Sequence, residues 1–395
     1  MYRTLPSRIT AADLSGWAPG VYRQDIYPTP KLGFLTGVPV FLGYAEKGPF
    51  EQAQQLSLWP QFADLFGGAT RFGSPPRDGY LAHAVRGFFD NGGLICYVLR
   101  LRDGGKPLNE LDSGLKAIRA LDDIDLVCTP DVVPLSDGSA PPTEAVAVLQ
   151  QAVLDHCRLL SDRFAILDSL YTADIDAVES HRVRLNGDYG ALYFPWAAID
   201  GRPTYVPPCG HVAGIYSRSD RAFGSHKAPA NEEVEGALDL RMNLTDPEQG
   251  RLNDRGVNCL RVFPGRGIRV WGARTLSEAP EWTYISARRL FITVGRWLER
   301  FMPEVAFAPN DIRLWVRIMR ELTAFLEDMF RRGALQGRTA EQAFFVKCDG
   351  ETNPPEVRDA GLVVTELGLA PSAPGEFIVV RIIHGASGVT IAPVS

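Results

Sequence analysis

Residues 343–382 read AFFVKCDGETNPPEVRDAGLVVTELGLAPSAPGEFIVVRI. A short apolar strand, Phe344–Val346, leads into a polar loop with an Asn-Pro-Pro turn, and a second strand covers Leu362–Glu366. After a Pro-Gly linker the alternation of Glu376–Ile383 predicts a third strand close to the chain end. No catalytic constellation lies here. Strands near a chain end are exposed edges unless something covers them, and an exposed edge invites pairing with another chain. The stretch points to assembly.

Upstream of it, two long helices are expected, about Tyr284–Met302 and, after Pro309, a second capped by Asn310 or Asp311 and running to about Arg332. Ile312, Trp315, Met319, Leu322, Leu326 and Met329 fall at helical spacing and predict a core face. Between Thr283 and Gly333 nine arginines (Arg288, Arg289, Arg296, Arg300, Arg313, Arg317, Arg320, Arg331, Arg332) stand against six Asp or Glu. That local excess reads either as a solvated face with pairs such as Arg317–Glu321 or as a positive surface for an acidic protein partner.

The middle of the chain has a different rhythm. Strands Leu126–Thr129, Phe164–Asp168 and Ala191–Trp196 alternate with helices at Thr143–Ser161 and Thr172–Arg184, which predicts a parallel α/β layer. His211–Ser217 reads as one more element, helix or strand. Before this layer, Thr36–Tyr44 and the LICYVLRL run (94–101) read as strands, and Leu58–Phe66 and Tyr80–Asp90 as helices. Val257–Phe263 and Ile268–Gly272 form a strand–turn–strand after it. Residues 1–32 show little periodicity, and Pro28 and Pro30 keep them from helix.

At 395 residues, 45% hydrophobic and 22% charged, the composition is that of an ordinary globular protein. The net charge of −6 gives no basis for binding nucleic acid. The opening MYRTLPSRITAADLSGW lacks an apolar signal core and no stretch approaches a membrane span, so a cytoplasmic protein without membrane insertion is expected. Six scattered cysteines without a C-x-x-C pair read as reduced and structural.

Asp131 and Asp168 sit at strand ends, where α/β enzymes place catalytic groups. No phosphate-binding glycine loop accompanies them, and Gly265–Gly267 precedes a strand rather than a helix. The histidines show no ligand spacing. Both aspartates are expected to be caps or loop anchors; an enzyme would require them to converge in a polar pocket. No catalytic residue, cofactor or metal is assigned.

As a string, 343–382 resembles the C-terminal domain of the tail-sheath family of contractile phage tails and related injection systems. Ala228–Leu276, Trp282–Phe301 with Ala308-Pro309-Asn310-Asp311, Pro19-Gly20-Val21-Tyr22, Gly37–Phe41 with Glu46-Lys47-Gly48-Pro49, Asp188–Trp196 and His211–Lys227 extend the likeness. The resemblance implies an α+β core domain formed by N- and C-terminal segments (33–100 and 226–385), an inserted α/β middle domain (101–225) and extended arms (1–32 and 386–395). It also implies that the arms, about Trp17–Lys31 and Ala386–Val394, add strands to neighbouring subunits. Pro19, Gly20, Val21 and Tyr22 would act in one arm, and Val389, Thr390 and Ile391 in the other. Such head-to-tail donation builds a helical polymer. The implied partners are further copies of the chain, an inner tube protein touched by a helix of the core domain, baseplate and cap proteins, and sheath paralogues; in the Arg-rich helices Arg313, Arg317 and Arg320 are the candidate tube contacts. Contraction of a metastable lattice would drive the tube outward, without nucleotide or metal. Many sheath proteins are longer and carry additional outer domains, so a minimal sheath or one of several sheath paralogues is expected; a non-contractile cap protein of the same fold is the alternative.

Overall fold

The computed structural model describes residues 35–68, 71–72, 77–133, 143–199, 205–305, 308–371, 378–385 and 388–393. Pro19, Gly20, Val21 and Tyr22 lie outside the described residues. Residues Thr36–Ser395 form one unit.

In chain order the strands are β1 (Pro39–Gly43), β2 (Gln54–Leu56), β3 (Arg71–Phe72), β4 (Arg77–Asp78), β5 (Cys96–Arg100), β6 (Leu126–Cys128), β7 (Phe164–Asp168), β8 (Gly190–Phe194), β9 (Ala197–Ile199), β10 (Tyr205–Val206), β11 (Ala237–Leu240), β12 (Val257–Phe263), β13 (Gly267–Trp271), β14 (Phe344–Lys347), β15 (Val363–Leu369), β16 (Ile378–Gly385) and β17 (Gly388–Pro393). The helices are α1 (Trp59–Phe66), α2 (Leu81–Asp90), α3 (Pro107–Ala117), α4 (Thr143–Leu160), α5 (Ile175–Arg182), α6 (Cys209–Phe223), α7 (Asp246–Asp254), α8 (Ile285–Phe301) and α9 (Ile312–Arg331), followed by the short α10 (Ala340–Ala343) and α11 (Pro355–Asp359).

Every residue of β1, β6, β7 and β8 is buried. Strands apolar throughout belong inside a parallel sheet covered on both faces. They form an eight-stranded sheet of order β13-β12-β8-β7-β6-β1-β5-β2, parallel from β12 to β5 with an antiparallel strand at each edge. The helices covering it include α2 packed on α6, and α4 packed on α3 and α5. The expected parallel α/β layer is therefore present, and it is wider than the middle segment. β1 lies between β5 and β6, and β12 continues from β8, so the sheet crosses the divisions expected at 100/101 and 225/226. His211–Ser217 falls inside α6 and is helical.

A second core begins at Trp282. There α8 and α9 pack on a four-stranded antiparallel sheet, β14-β15-β16-β17. Ile378, Val380 and Ile382 of β16 are buried while Arg381 between them is exposed, the period-2 pattern of a sheet with one packed face. Outside that face, Arg381 lies opposite Glu366 in register and pairs with it at 3.4 Å.

Asp311 caps α9, its side chain accepting from the Arg313 and Leu314 amides. The buried ridge is Leu314, Trp315, Ile318, Leu322, Leu326 and Met329. Ile312, expected in the core, is 67% exposed. It shares its side of the helix with Val316 one turn on, which is also exposed, while Leu314 and Ile318 take the inward places.

Candidate assembly surfaces

The two strand-end aspartates are spent on backbone. Asp131 accepts from the Tyr44 amide at 2.8 Å and the Tyr80 amide at 2.5 Å, tying two loops to the end of β6. Asp168 accepts from the Cys209 amide at 2.8 Å, at the first residue of α6. Burial pushes the Asp168 carboxyl up to about 7, and the Cys209 bond pulls against that shift. His156, His181 and His211 are buried, and desolvation lowers each to about 4, so all three are neutral at pH 7. Among the described residues no cluster of His, Cys, Asp or Glu could hold a metal ion. The six cysteines are free thiols and buried.

The C-terminal sheet offers strand edges. Val389, Thr390 and Ile391 lie on β17, paired with His384, Ile383 and Ile382 of the same chain. The strand expected to reach a neighbour is thus seated on its own sheet as the edge strand. Gly295 in α8 allows this, because a Cβ there would stand 3.0 Å from Ile391 Cδ1. β14 is the opposite edge.

The outward side of α9 is both basic and apolar. Arg313, Arg317 and Arg320 are exposed and follow one another at i, i+4 and i+7, with Ile312 and Val316 interleaved. Arg320 pairs with Glu321 at 2.8 Å in water-exposed geometry, a contact of little strength. The Arg317 guanidinium lies 5.9 Å from the Phe301 ring centroid. The structure therefore groups these three arginines on one surface.

The arginines of α8 behave differently. Arg288 is buried over the Trp282 ring, 3.4 Å from its centroid, and pairs with Asp188. Arg289 forks onto Asp220 at 2.7 and 2.5 Å and reaches Asp125 at 3.0 Å. Burial works against its charge, yet the Asp220 and Asp125 carboxylates hold its pKa above the usual arginine value. Arg296 donates to the Asp122 carbonyl at 2.9 Å, and the exposed Arg300 meets Asp123 at 3.0 Å. These four side chains face the sheet domain. Sequence spacing alone carried one usable hint of this: Arg289 and Arg296, seven residues apart, lie on the same side of α8 as the apolar Ile285 and Ile292.

Residues 115–276 match the family described as phage tail sheath protein central domain, and residues 277–383 the phage tail sheath C-terminal domain. The junction at 276/277 falls where the first hydrophobic core gives way to the second. The tail sheath protein of Vibrio phage KVP40 is 23% identical over 234 residues, 58% of this chain and 33% of that protein. A putative prophage major tail sheath protein of Pseudomonas aeruginosa is 24% identical over 147 residues, 35% of this chain and 37% of that protein. The chain spans about a third of the length of these relatives. Among solved structures, a chain of the anti-feeding prophage baseplate superposes with TM-score 0.72 at 27% identity, covering 92% of this chain and 97% of that one. A chain of the PVC sheath complex, an extracellular contractile injection system in its contracted state, gives TM-score 0.70 at 29% identity, with 92% and 96% covered.

Proposed function

The chain belongs to the phage tail sheath family, and from that premise we propose that it is the sheath subunit of a contractile, phage tail-like injection particle. It polymerises helically around an inner tube and contracts to drive the tube through a target envelope. The observation that carries this reading is the likeness to the anti-feeding prophage and PVC chains along nearly their whole length. The use of Asp131 and Asp168 as backbone acceptors supports a structural role over an enzymatic one.

Contraction needs two packings of folded subunits that differ in energy, and neither nucleotide nor metal enters that account. Subunits stay connected through their ends: an N-terminal arm within 1–32, with Pro19, Gly20, Val21 and Tyr22, and a C-terminal arm within 386–395. The ladder between β16 and β17 supplies the chemistry for the second link. Replacing one copy's Val389–Ile391 by a neighbour's regenerates the same backbone hydrogen bonds, so exchange costs little enthalpy while adding connectivity. The family layout divides the chain into core segments 33–100 and 226–385 and an outward middle segment, 101–225, and the eight-stranded sheet joins all three. The α9 surface of Arg313, Arg317 and Arg320 suits an acidic inner tube. Baseplate, cap and sheath paralogues complete the partners, and assembly takes place in the cytoplasm.

Negative-stain electron microscopy of the purified chain, whole and lacking residues 1–31, tests the reading. Tubes or rings from the whole chain that vanish on truncation are expected. In the same assay with tube protein added, reversing Arg313, Arg317 and Arg320 to Glu should abolish tube-dependent assembly. Sheaths of normal length on tubes from the triple variant would remove the α9 surface from the account.

A further inference from the structure

The buried Arg289 does more than pair with two aspartates, because each aspartate also holds the chain where it enters the fold. Asp125 accepts from the Gly37 amide at 2.9 Å and the Val38 amide at 2.7 Å while receiving Arg289 on the same carboxylate. Asp220 on α6 takes the Arg289 fork and a hydrogen bond from the Thr36 side chain. Between them Gly37, at φ +74°, is pressed on α6: a Cβ there would stand 2.6 Å from Ser217 Cα, so only glycine fits. Three consecutive residues at the root of the N-terminal segment, Thr36, Gly37 and Val38, are thus held at one point. That point is bolted by Arg289 to α8. Six residues further along α8, about 9 Å at 1.5 Å per residue, Gly295 receives Ile391 of β17.

We propose that the Asp125–Arg289–Asp220 cluster is a clasp that couples the root of the N-terminal segment to α8, and through α8 to the C-terminal strand, so that a pull on one end of the chain passes to the other. This rests on the reading that both chain ends link subunits. Physical chemistry supports a geometric purpose. Both carboxylates and the guanidinium are at most 4% exposed, and a buried ion cluster gains little over an apolar core of the same volume. It offers a fixed angle: a planar fork can serve two carboxylates whose other partners are the Gly37 and Val38 amides on Asp125 and the Thr36 side chain on Asp220, a geometry an ammonium cannot reproduce. The path runs from the entry to β1, across one guanidinium, and along a rigid helix.

Hydrogen exchange read by mass spectrometry on the whole chain tests the clasp without requiring assembly. In Arg289→Met, peptides covering Thr36–Val40, α8 and β17 should exchange together, about tenfold or more faster than in the wild type. A peptide over β7 should stay protected. Loss confined to α8, with Thr36–Val40 as protected as before, overturns the proposal. If Arg289→Met loses protection everywhere, Arg289→Lys decides. It keeps the charge and cannot bridge both carboxylates, so the same joint loss is expected, and wild-type protection of Thr36–Val40 overturns the proposal. Failure of the wild-type chain to form helical particles would instead sink the sheath reading and leave the exchange result standing.

Discussion

The close crossing of α2 and α6 sets a stability prediction. α2 and α6 touch backbone to backbone: a Cβ on Gly210 would stand 2.1 Å from the Ala84 carbonyl oxygen and 2.4 Å from Ala84 Cα. Ordinary contact begins at 3.4 Å, so Ala84 would have to retreat by about 1.3 Å, the difference of 3.4 and 2.1. The atoms met are main chain, and no rotamer change relieves them. A Cβ on Gly214, one turn on, would stand 2.5 Å from the Phe88 oxygen, so the two helices cannot pivot about that end. Overpacking of this kind costs about 1–3 kcal/mol and more where backbone must move. The gain in helix propensity from Gly to Ala is at most about 1 kcal/mol. Gly210→Ala should therefore destabilise by about 2 kcal/mol and lower Tm by roughly 2–4 °C. Gly250 in α7 is the control, because a Cβ there meets nothing within 4 Å. Gly250→Ala should be neutral or stabilise by up to about 1 kcal/mol. Both variants are read by thermal unfolding of the whole chain. Equal Tm values for the two would refute the close-approach argument, since propensity alone treats them alike.

Acid should weaken the fold between pH 6.5 and 4. His156, His181 and His211 are lowered from 6.5 to about 4 by burial, so the unfolded chain takes up protons first as pH falls; the stability they contribute is complete above 6.5 and shrinks toward 4, each by on the order of 3 kcal/mol. Asp168, raised from 3.8 to about 7 by burial, runs the other way and offsets about one of the three; a urea midpoint that stays level or rises from pH 6.5 to 4.5 would contradict the sum. Removing the α9 cap with Asp311→Ala should cost about 1 kcal/mol in urea unfolding, because the amides of Arg313 and Leu314 lose their acceptor; no measurable change would mean the helix end is held by its packing alone.

The elements legible in the sequence were those with a strong period. The strand Phe164–Asp168 was read to the residue, and α8 to within one at each end, because continuous burial and a 3.6-residue stripe are local signals. The extent of the large sheet was less legible. β1 is an apolar run of five residues, and nothing inside it states that its neighbours are β6 on one side and β5 on the other. Sheet neighbours are a long-range property, and no local pattern at residue 100 tells that the strands on either side of it share one sheet. The intrachain seat of β17 is similar: a strand near a chain end predicts an edge, and the close approach of Ile391 to Gly295, nearly a hundred residues away, is not written in the strand itself.

The arginines show how composition misleads and how burial corrects it. Nine against six acids between Thr283 and Gly333 reads as a positive patch. Arg288, Arg289 and Arg296 are buried, and Asp188, Asp220 and Asp125, all outside that window, neutralise the first two and face the third. Setting the three aside leaves six arginines and six acids, so the rest of that window carries no net charge. What survives is arrangement. On the first half of α9 Arg313, Arg317 and Arg320 share one side with Ile312 and Val316, whereas Arg331 and Arg332 at the far end lie beside Asp328. A partner that reads α9 must therefore recognise a short stripe, with apolar contact to Ile312 and Val316 as part of the match. Exposed charge acts over about a Debye length, near 10 Å at 0.1 M salt, and the three arginines span seven residues, about 10 Å of helix. Salt should then weaken such a contact without eliminating it, since the apolar share of the surface is not screened.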